Sequence, residues 1–286
     1  MENNKTALVT GASSGIGKAT AKALRDAGFF VYATAPDISG LNDLSGDGFE
    51  LLTLDVTNAD QAKEAVGIAE SRNGAIQVLV NNAGYGQYGP IEEIPVDAIK
   101  NDFEVNLFGL IRMCQLALPA MRKAGAGRII NISSVAGEMS QPGAGVYHAT
   151  KHAVEAIDEA LRVEVETFGV KVIGVLPGPV DTNFDEIAIA SIPDTGADSP
   201  YFNFKENLKK TTKQMLSPEN AATLEPEDVA KKVVEAATAE SPSKRYHVGV
   251  MSKVMGKLHD LTPDAIWDKA MEYMIPSEEK KTASGS

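Results

Sequence analysis

The chain alternates short, nearly continuous apolar runs with longer segments whose apolar residues recur at helical spacing. The apolar runs predict strands at residues 6–10, 30–34, 51–54, 76–80, 128–132 and 171–176, and the clearest helical segments are 60–70, 98–122, 149–168 and 226–239. Near-continuous apolar strands alternating with helices are typical of a parallel sheet covered on both faces. We therefore predict an α/β fold with a doubly wound, Rossmann-type parallel sheet.

The predicted elements form a single domain over residues 1–276. The periodicity breaks down at residues 178–224, where prolines are frequent, and this predicts an inserted substrate loop. Its apolar side chains either wall a pocket or pack among themselves at the surface; they are Phe184, Ile187, Ile189, Ile192, Tyr201 and Phe204. The polar tail at residues 277–286 is predicted to be disordered.

Composition narrows the classes of function. Among 286 residues, 39 are acidic and 27 are basic, and the absence of a basic stripe argues against nucleic-acid binding. The first strand begins too early for a signal peptide, and no apolar stretch reaches the roughly 18 residues of a membrane span. The single cysteine, Cys114, cannot form an internal disulfide. We expect a cytoplasmic protein without membrane partners.

A glycine-rich segment joins the first predicted strand to the helical segment that follows it. Residues 10–17 read Thr-Gly-Ala-Ser-Ser-Gly-Ile-Gly. A strand, a glycine-rich turn and a helix together let backbone N–H groups approach a pyrophosphate at the helix N-terminus. The alternative is a plain glycine-rich connection that binds nothing.

Tyr147 and Lys151 lie four residues apart, and the pair Ser133-Ser134 precedes them. Residues at i and i+4 share one face of a helix, so the ammonium can lie beside the phenol. A nearby positive charge lowers the pKa of a phenol and lets it act as an acid or base. Such a pair occurs by chance on many helices, but the glycine-rich turn is a second, independent signal.

Taken together, these motifs resemble the short-chain dehydrogenase/reductase family over residues 5–250. The residues that carry the resemblance are Gly11, Gly15, Gly17, Asn81, Asn82, Ala83, Gly84, Asn106, Ser134, Tyr147, Lys151, Pro177, Gly178 and Thr182. Within the family, residues 245–249 and 261–263 resemble the branch that includes 17β-hydroxysteroid and retinol dehydrogenases.

The resemblance implies a catalytic set of four residues. Tyr147 would donate a proton to a carbonyl oxygen in reduction and accept one in oxidation, while Lys151 would lower its pKa and hold the nicotinamide ribose. Ser134 would hydrogen-bond the substrate oxygen where negative charge develops. Asn106 would connect Lys151 to solvent through water molecules.

The resemblance also implies a nicotinamide dinucleotide cofactor. Asp55 would contact its adenine, although a structural alternative is that Asp55 caps the turn before the next helix. The residues assigned to the cofactor are Gly11, Ser13, Ser14, Gly15, Ile16, Gly17, Asp55, Val56, Asn81, Ala83, Gly84, Ile132, Tyr147, Lys151, Pro177, Gly178 and Thr182.

Features near the end of the second strand bear on the choice between NAD and NADP. Relatives that prefer NAD place an acid at the position of Ala35, so this alanine favours NADP. Pro36 stands where NADP users of this branch often carry arginine, Asp37 follows it, and Ser14 replaces the basic residue that some NADP users carry in the turn. We expect NADP(H), with NAD(H) as the alternative.

Other features have structural explanations. His148 and His152 have metal-ligand spacing but no obvious third ligand, so no metal site is predicted. Tyr85 and Tyr88 follow the Asn-Asn-Ala-Gly segment, where one of them could line a substrate pocket. The helices at residues 101–122 and 147–168 form the association face in many relatives, so the resemblance implies a homodimer or homotetramer.

The sequence thus predicts an NAD(P)(H)-dependent oxidoreductase that interconverts an alcohol and a ketone or aldehyde. Its substrate would be an apolar or bulky small molecule, given the apolar residues of the inserted loop. One alternative is a non-catalytic regulator that senses a dinucleotide. Another is a lyase or dehalogenase of the same fold.

Overall fold

One parallel sheet organises the molecule in the computed structural model, which describes residues 5–217 and 219–277, without the side chains of residues 72 and 73. The strands of the described chain lie in the order β3-β2-β1-β4-β5-β6-β7. They are β1 (Thr6–Val9), β2 (Phe30–Ala35), β3 (Phe49–Thr53), β4 (Val78–Asn81), β5 (Gly127–Ile132), β6 (Val170–Pro177) and β7 (Arg245–Val248). The predicted Rossmann-type fold is confirmed. Most of the predicted tail, from residue 278 onwards, lies outside the described residues.

Helices cover the two faces of the sheet. They are α1 (Gly15–Asp26), α2 (Ala59–Asn73), α3 (Val96–Phe103), α4 (Leu110–Ala124), α5 (Gly145–Val165), α6 (Phe184–Ala190), α7 (Phe202–Leu216), α8 (Pro226–Thr238), α9 (Gly249–Leu261) and α10 (Asp264–Met274). A single turn of π-helix, Glu104–Gly109, connects α3 to α4.

Two hydrophobic cores explain why the strands read as continuous apolar runs. Ala7 and Val9 of β1 face the core formed with α1 and α8, whereas Leu8 faces the core formed with α2, α4 and α5. In β4, Val80 and Leu79 divide between the two cores in the same way. Because successive side chains of a strand point to opposite faces, a sheet buried on both sides requires apolar residues at every position.

The inserted segment contains regular structure that the sequence pattern did not predict. Residues 178–224 include α6 and α7, separated by a stretch that contains Pro193 and Pro200. In α7 the apolar or buried positions Phe204, Leu208 and Thr212 recur every four residues, but interspersed lysines mask the helical pattern. Residues 245–248, recognised only as a motif, form the seventh strand beside β6.

No helix in the described ranges has both the length and the apolar character to cross a bilayer.

Candidate active site

The turn after β1 requires glycine for steric reasons. Gly11 and Gly15 have φ angles of +65° and +49°, in the left-handed region that favours glycine. A Cβ on Gly17 would lie 2.1 Å from the carbonyl oxygen of Gly11. Ser14, the N-cap of α1, makes no side-chain capping bond within the described structure, so the first N–H groups of the helix remain available. This close-fitting turn at a helix N-terminus suits the pyrophosphate of a dinucleotide.

Hydrogen bonds fix this turn to the segment that follows β4. The Thr10 hydroxyl accepts the backbone N–H groups of Asn82 and Ala83 at 2.9 and 3.0 Å. In return, the Asn82 side chain donates to the carbonyl oxygens of Thr10 and Gly11 at 2.9 and 3.0 Å. The loops after β1 and β4 therefore form one rigid unit at the carboxyl edge of the sheet.

A cavity of about 610 Å³ lies at this edge. Its position agrees with the general location of ligands beyond the carboxyl ends of parallel strands. The predicted site residues that line it are Gly11, Ser13, Ser14, Gly15, Ile16, Gly17, Asp55, Val56, Ala83, Gly84, Ile132, Ser134, Tyr147, Lys151, Pro177, Gly178 and Thr182.

Asn81 departs from the expected placement. Its side chain is buried within the sheet, where Nδ2 donates 2.8 Å to the Asn131 side chain and lies 3.4 Å from the Cys114 sulfur. Asn81 is the last residue of β4, and its neighbour Asn82 is the one that lines the cavity. The alternation of side chains along a strand explains the difference. Burial raises the pKa of Cys114 to about 12, so it stays an unreactive thiol.

Helix α5 presents Tyr147 and Lys151 to the cavity. The helix starts at Gly145, four residues before its predicted start, and this places Tyr147 in its first turn. The Lys151 ammonium lies 5.8 Å from the Tyr147 ring centre and donates 2.9 Å to the carbonyl oxygen of Ile132. Ser134 follows β5, where its hydroxyl accepts the Ala136 N–H at 3.1 Å. The three side chains thus meet at the ends of β5 and α5.

Burial controls the ionisation of this set. It raises the pKa of Tyr147 well above its usual value; the hydrogen bond with Ser134 lowers it, and the charge of Asp102 raises it further. This direction is opposite to the lowered pKa expected from the Tyr–Lys spacing. Burial lowers the pKa of Lys151 to about 8, opposed by nearby acidic groups. Tyr147 is therefore a protonated hydroxyl at neutral pH.

Asn106 lies behind this set, in the π-helical turn between α3 and α4. Its Nδ2 is within 2.8 to 3.0 Å of the Tyr85 carbonyl, the Asp102 carboxylate and the Thr150 hydroxyl, and its Oδ1 accepts the Tyr85 N–H at 3.0 Å. A Cβ on Gly84 would lie 2.9 Å from that Oδ1 and 3.8 Å from Lys151 Nζ. Asn106 is thus held near Lys151, although it does not line the cavity. Single π-helical turns frequently occur at functional sites.

The two acids that follow β2 and β3, Asp37 and Asp55, are engaged in local turns. Asp55 accepts the Thr57 N–H at 2.9 Å and its hydroxyl at 2.7 Å, so the structural alternative for Asp55 is present while Asp55 also lines the cavity. Asp37 accepts the Ser39 hydroxyl at 2.7 Å and its N–H at 2.9 Å, and these bonds lower the pKa of Asp37.

Apolar side chains from three helices wall the far side of the cavity. Of the inserted residues expected there, Phe184 and Ile187 of α6 line it. Ile192 does not line the cavity but packs in the buried cluster behind it with Tyr88, and the Tyr201 hydroxyl donates 2.6 Å to Glu92. Sequence reasoning missed a set of lining residues from α7, α9 and the loop before α5: Met139, Gln141, Thr212, Met215, Leu216, Met251 and Met255. Helical spacing of Met251 and Met255 was the available signal.

An ion pair joins the inserted segment to the rest of the domain. Lys205 of α7 lies 2.8 Å from Glu93, and their side chains are only 5% and 12% exposed. The Ser199 hydroxyl donates 2.5 Å to Glu93, and the Lys205 ammonium donates 2.5 Å to the Thr195 hydroxyl. We call these four residues the lid latch.

The remaining candidates are the two tyrosines after β4 and the histidine pair of α5. Tyr88 lines the cavity, with its ring 6.1 Å from that of Tyr147, and Tyr85 also lines it. His148 is buried with Nδ1 2.5 Å from the Met139 carbonyl oxygen, and burial lowers its pKa to about 4. In the described part of the chain, no group of three or more His, Cys, Asp or Glu side chains is arranged to hold a metal ion.

Comparison with known proteins identifies the family. The profile of the family described as short chain dehydrogenase matches residues 5–190. A 3-ketodihydrosphingosine reductase of Bacteroides thetaiotaomicron is 36% identical over 92% of this chain and 95% of its own. An NADPH-dependent 3-dehydrocapnine reductase of Ornithobacterium rhinotracheale is 34% identical over 92% of this chain and 94% of its own.

Solved structures with a similar fold point to the same family. A short-chain dehydrogenase from Streptomyces avermitilis superposes with a TM-score of 0.80 at 33% identity, covering 96% of this chain and 97% of that one. A short-chain dehydrogenase from Burkholderia cenocepacia in complex with NADP gives 0.73 at 26% identity, covering 94% and 98%. A short-chain dehydrogenase/reductase from Burkholderia phymatum in complex with NAD superposes with a TM-score of 0.73 at 26% identity, covering 86% of this chain and 88% of that one.

The chain belongs to the short-chain dehydrogenase/reductase family, as its motifs predicted. It is an oxidoreductase that depends on a nicotinamide dinucleotide, and the glycine-rich turn has the shape that such a cofactor requires. Its place in the branch of 17β-hydroxysteroid and retinol dehydrogenases stays a prediction.

Proposed function

We propose that this chain interconverts an alcohol and a ketone or aldehyde on an apolar small molecule, with NADP(H) as the preferred dinucleotide. The observation that carries the proposal is the meeting of Ser134, Tyr147 and Lys151 at the wall of the cavity. A protonated phenol and a serine hydroxyl at one point suit a carbonyl oxygen that gains negative charge during reduction.

Each residue has a chemical task in this proposal. Ser134 donates a hydrogen bond to the substrate oxygen, and Tyr147 gives its proton to the same oxygen as the carbonyl is reduced. Burial keeps Tyr147 protonated at neutral pH, which favours reduction. The glycine-rich turn and Lys151 would hold the dinucleotide, which supplies the hydride when bound.

The preference for NADP(H) is supported by the adenosine end of the cavity. Ala35 ends β2 without a carboxylate, and Pro36 lines the cavity. The carboxylate of Asp37 accepts the N–H and the hydroxyl of Ser39, which hold it in a local turn. One relative, by its name, depends on NADPH.

A ketone on an apolar chain is the substrate class that the walls favour. Phe184, Ile187, Met251 and Met255 give the cavity an apolar lining beside the Tyr147 hydroxyl. Two relatives are named as reductases of 3-keto or 3-dehydro compounds, which supports the same class.

We also propose that the chain forms a homo-oligomer through the outer faces of α4 and α5. Phe108, just before α4, is 49% exposed, and Val163 of α5 is 72% exposed. Exposed apolar residues on neighbouring helices are typical of a protein interface.

The test begins with fluorescence titrations of NADPH and NADH, followed by turnover of a panel of ketones and aldehydes with alkyl chains of increasing length. We expect Tyr147→Phe to lower kcat by about 10²–10⁴-fold while NADPH binding is retained. Tyr201→Phe is the matched control, because the Tyr201 hydroxyl binds Glu92 and does not line the cavity.

Tight NADPH binding with no turnover of any carbonyl would favour the alternative of a dinucleotide-sensing regulator. Failure to bind either dinucleotide would favour a lyase or dehalogenase instead. Substantial activity in Tyr147→Phe would disprove the role of the phenol in proton transfer.

A further inference from the structure

A buried carboxyl group, Asp102 of α3, lies beside the candidate catalytic residues without a part in the proposed chemistry. Its surface is 0% exposed. Oδ1 accepts a 2.9 Å hydrogen bond from Nδ2 of Asn106, whereas Oδ2 has no hydrogen-bond partner among the described residues. A buried carboxylate with an unpaired oxygen is costly unless a nearby positive charge compensates for it.

Lys151 is the positive group whose charge acts on Asp102, and Asn106, which donates to Asp102, lies with Lys151 Nζ beside Gly84. Its residue surface is only 6% exposed, and its ammonium donates to an uncharged carbonyl oxygen, that of Ile132. Burial lowers the pKa of Lys151 to about 8, and the charge of Asp102 is the first of three acidic influences that raise it. The other two are Glu155 and Asp158.

The negative charge of each of those two acids is compensated by other partners. Glu155 lies 2.7 Å from the guanidinium of Arg245. Asp158 accepts a hydrogen bond from Asn131 and lies in the field of Arg245 and of Arg162. For Asp102, by contrast, Lys151 is the cation whose charge acts on it. The counter-charge of Lys151 on the side of Asn106 is therefore Asp102.

We infer that Asp102 is a positioning residue for the reaction proposed above: its carboxylate orients the carboxamide of Asn106 and keeps the amine of Lys151 protonated. The groups that face it come from the segment after β4, the π-helical turn and α5; they are Tyr85, Gln87 through its backbone N–H, Tyr88, Asn106, Tyr147 and Lys151. Its negative charge favours the protonated form of each titratable group in this set, including the proton donor Tyr147.

The expected pH dependence follows from these groups. Burial raises the pKa of Asp102 to about 7, so its charge is present above that pH. Lys151 loses its proton as the pH rises through about 8. In Asp102→Asn the negative charge is lost, the pKa of Lys151 falls, and the amine loses its proton at lower pH.

The direct test is a titration of ¹³C-lysine-labelled protein by NMR, with Lys151 assigned by its loss in Lys151→Arg. We expect the midpoint of Lys151 to move to lower pH by about one pH unit in Asp102→Asn. Asp97→Asn, on the same helix but with its side chain 92% exposed, should leave the midpoint unchanged. An unchanged midpoint in Asp102→Asn would overturn the inference.

Two further variants distinguish the loss of the charge from misfolding of the protein. Asp102→Ser removes the charge with a smaller polar side chain and should lower the Lys151 midpoint as Asp102→Asn does, whereas Asp102→Glu keeps the charge and should leave it near that of the wild type. The alkaline limb of kcat should move with the midpoint. Because the NMR titration needs no substrate, an inactive wild-type protein would refute the proposed function without affecting this test.

Discussion

At the scale of single residues, the glycines of the turn after β1 decide whether the cavity can accept a dinucleotide. Gly17 has no room for a Cβ because the Gly11 carbonyl oxygen would lie 2.1 Å away. Gly11 itself approaches the Ala83 backbone, where a Cβ would come within 2.9 Å. The spacing of these glycines in the sequence therefore reflects backbone packing as well as access for a phosphate.

Gly17→Ala is expected to weaken NADPH binding by about 10- to 100-fold, because the methyl group must displace the turn. Fluorescence titration measures the loss. Gly67→Ala is a matched control within α2, since its Cβ would meet no described atom within 4 Å. It should bind normally and unfold with a free energy unchanged or raised by about 0.5–1 kcal/mol. Equal affinity in the two variants would contradict the steric argument.

The sequence pattern identified residues with distinctive spacing and missed those defined by burial. Tyr147 and Lys151 were recognisable four residues apart, and Ser134 followed from its distance to Tyr147. Asp102 resembles a solvated acid on an amphipathic helix until the structure shows it at 0% exposure. Asn81 is buried in the sheet and Asn82 lines the cavity because β4 ends at Asn81. Apolar periodicity does not predict the end of a strand to within one residue.

At the scale of elements, the inserted segment with α6 and α7 supplies part of the cavity wall. It meets the body of the domain through the lid latch, in which Lys205 and Glu93 are nearly buried. Hydrogen bonds from Lys205 and Ser199 lower the pKa of Glu93 in the folded protein. The contribution of Glu93 to folding stability is therefore present above the pKa of an unfolded glutamate, and it is lost as the pH falls through the lower pKa of the folded state.

Lys205→Met should loosen this segment, because Glu93 then loses its cation. We expect KM for an apolar ketone to rise several-fold with a smaller change in kcat, together with faster proteolytic cleavage near residues 193–201. Lys209→Met is the control, since Lys209 pairs with Glu206 on the exposed side of the same helix. If Lys209→Met raised KM equally, the latch would have no special role.

The elements differ in how well their sequences predict them. The six predicted strands were visible as apolar runs: β1 and β4 are buried on both faces, whereas β3 at the sheet edge keeps only part of this pattern. The seventh, Arg245–Val248, was recognised only as a motif, since its arginine and histidine are half-exposed at the sheet edge. Helix α7 was missed because the latch requires a buried lysine on its inner face, which breaks the apolar periodicity.

At the scale of the whole molecule, the exposed side chains of Phe108, just before α4, and Val163 of α5 lead us to expect self-association. Val163→Glu should place a charge in the interface and convert the oligomer to monomers, as measured by sedimentation velocity. Val250 of α9 is equally exposed, at 76%, and lies on another face. Val250→Glu should leave the oligomer intact. Dissociation by Val250→Glu alone would place the interface on α9 instead.

The cavity draws its walls from both ends of the chain, from Gly11 after β1 to Met255 in α9. A ribosome releases these parts in order, so the turn after β1 emerges long before the helix that completes the pocket. Until α9 has left the exit tunnel, the cavity lacks the part of its wall that Met251 and Met255 supply. The nascent chain therefore contains the glycine-rich turn first and the methionine-lined wall of the cavity last.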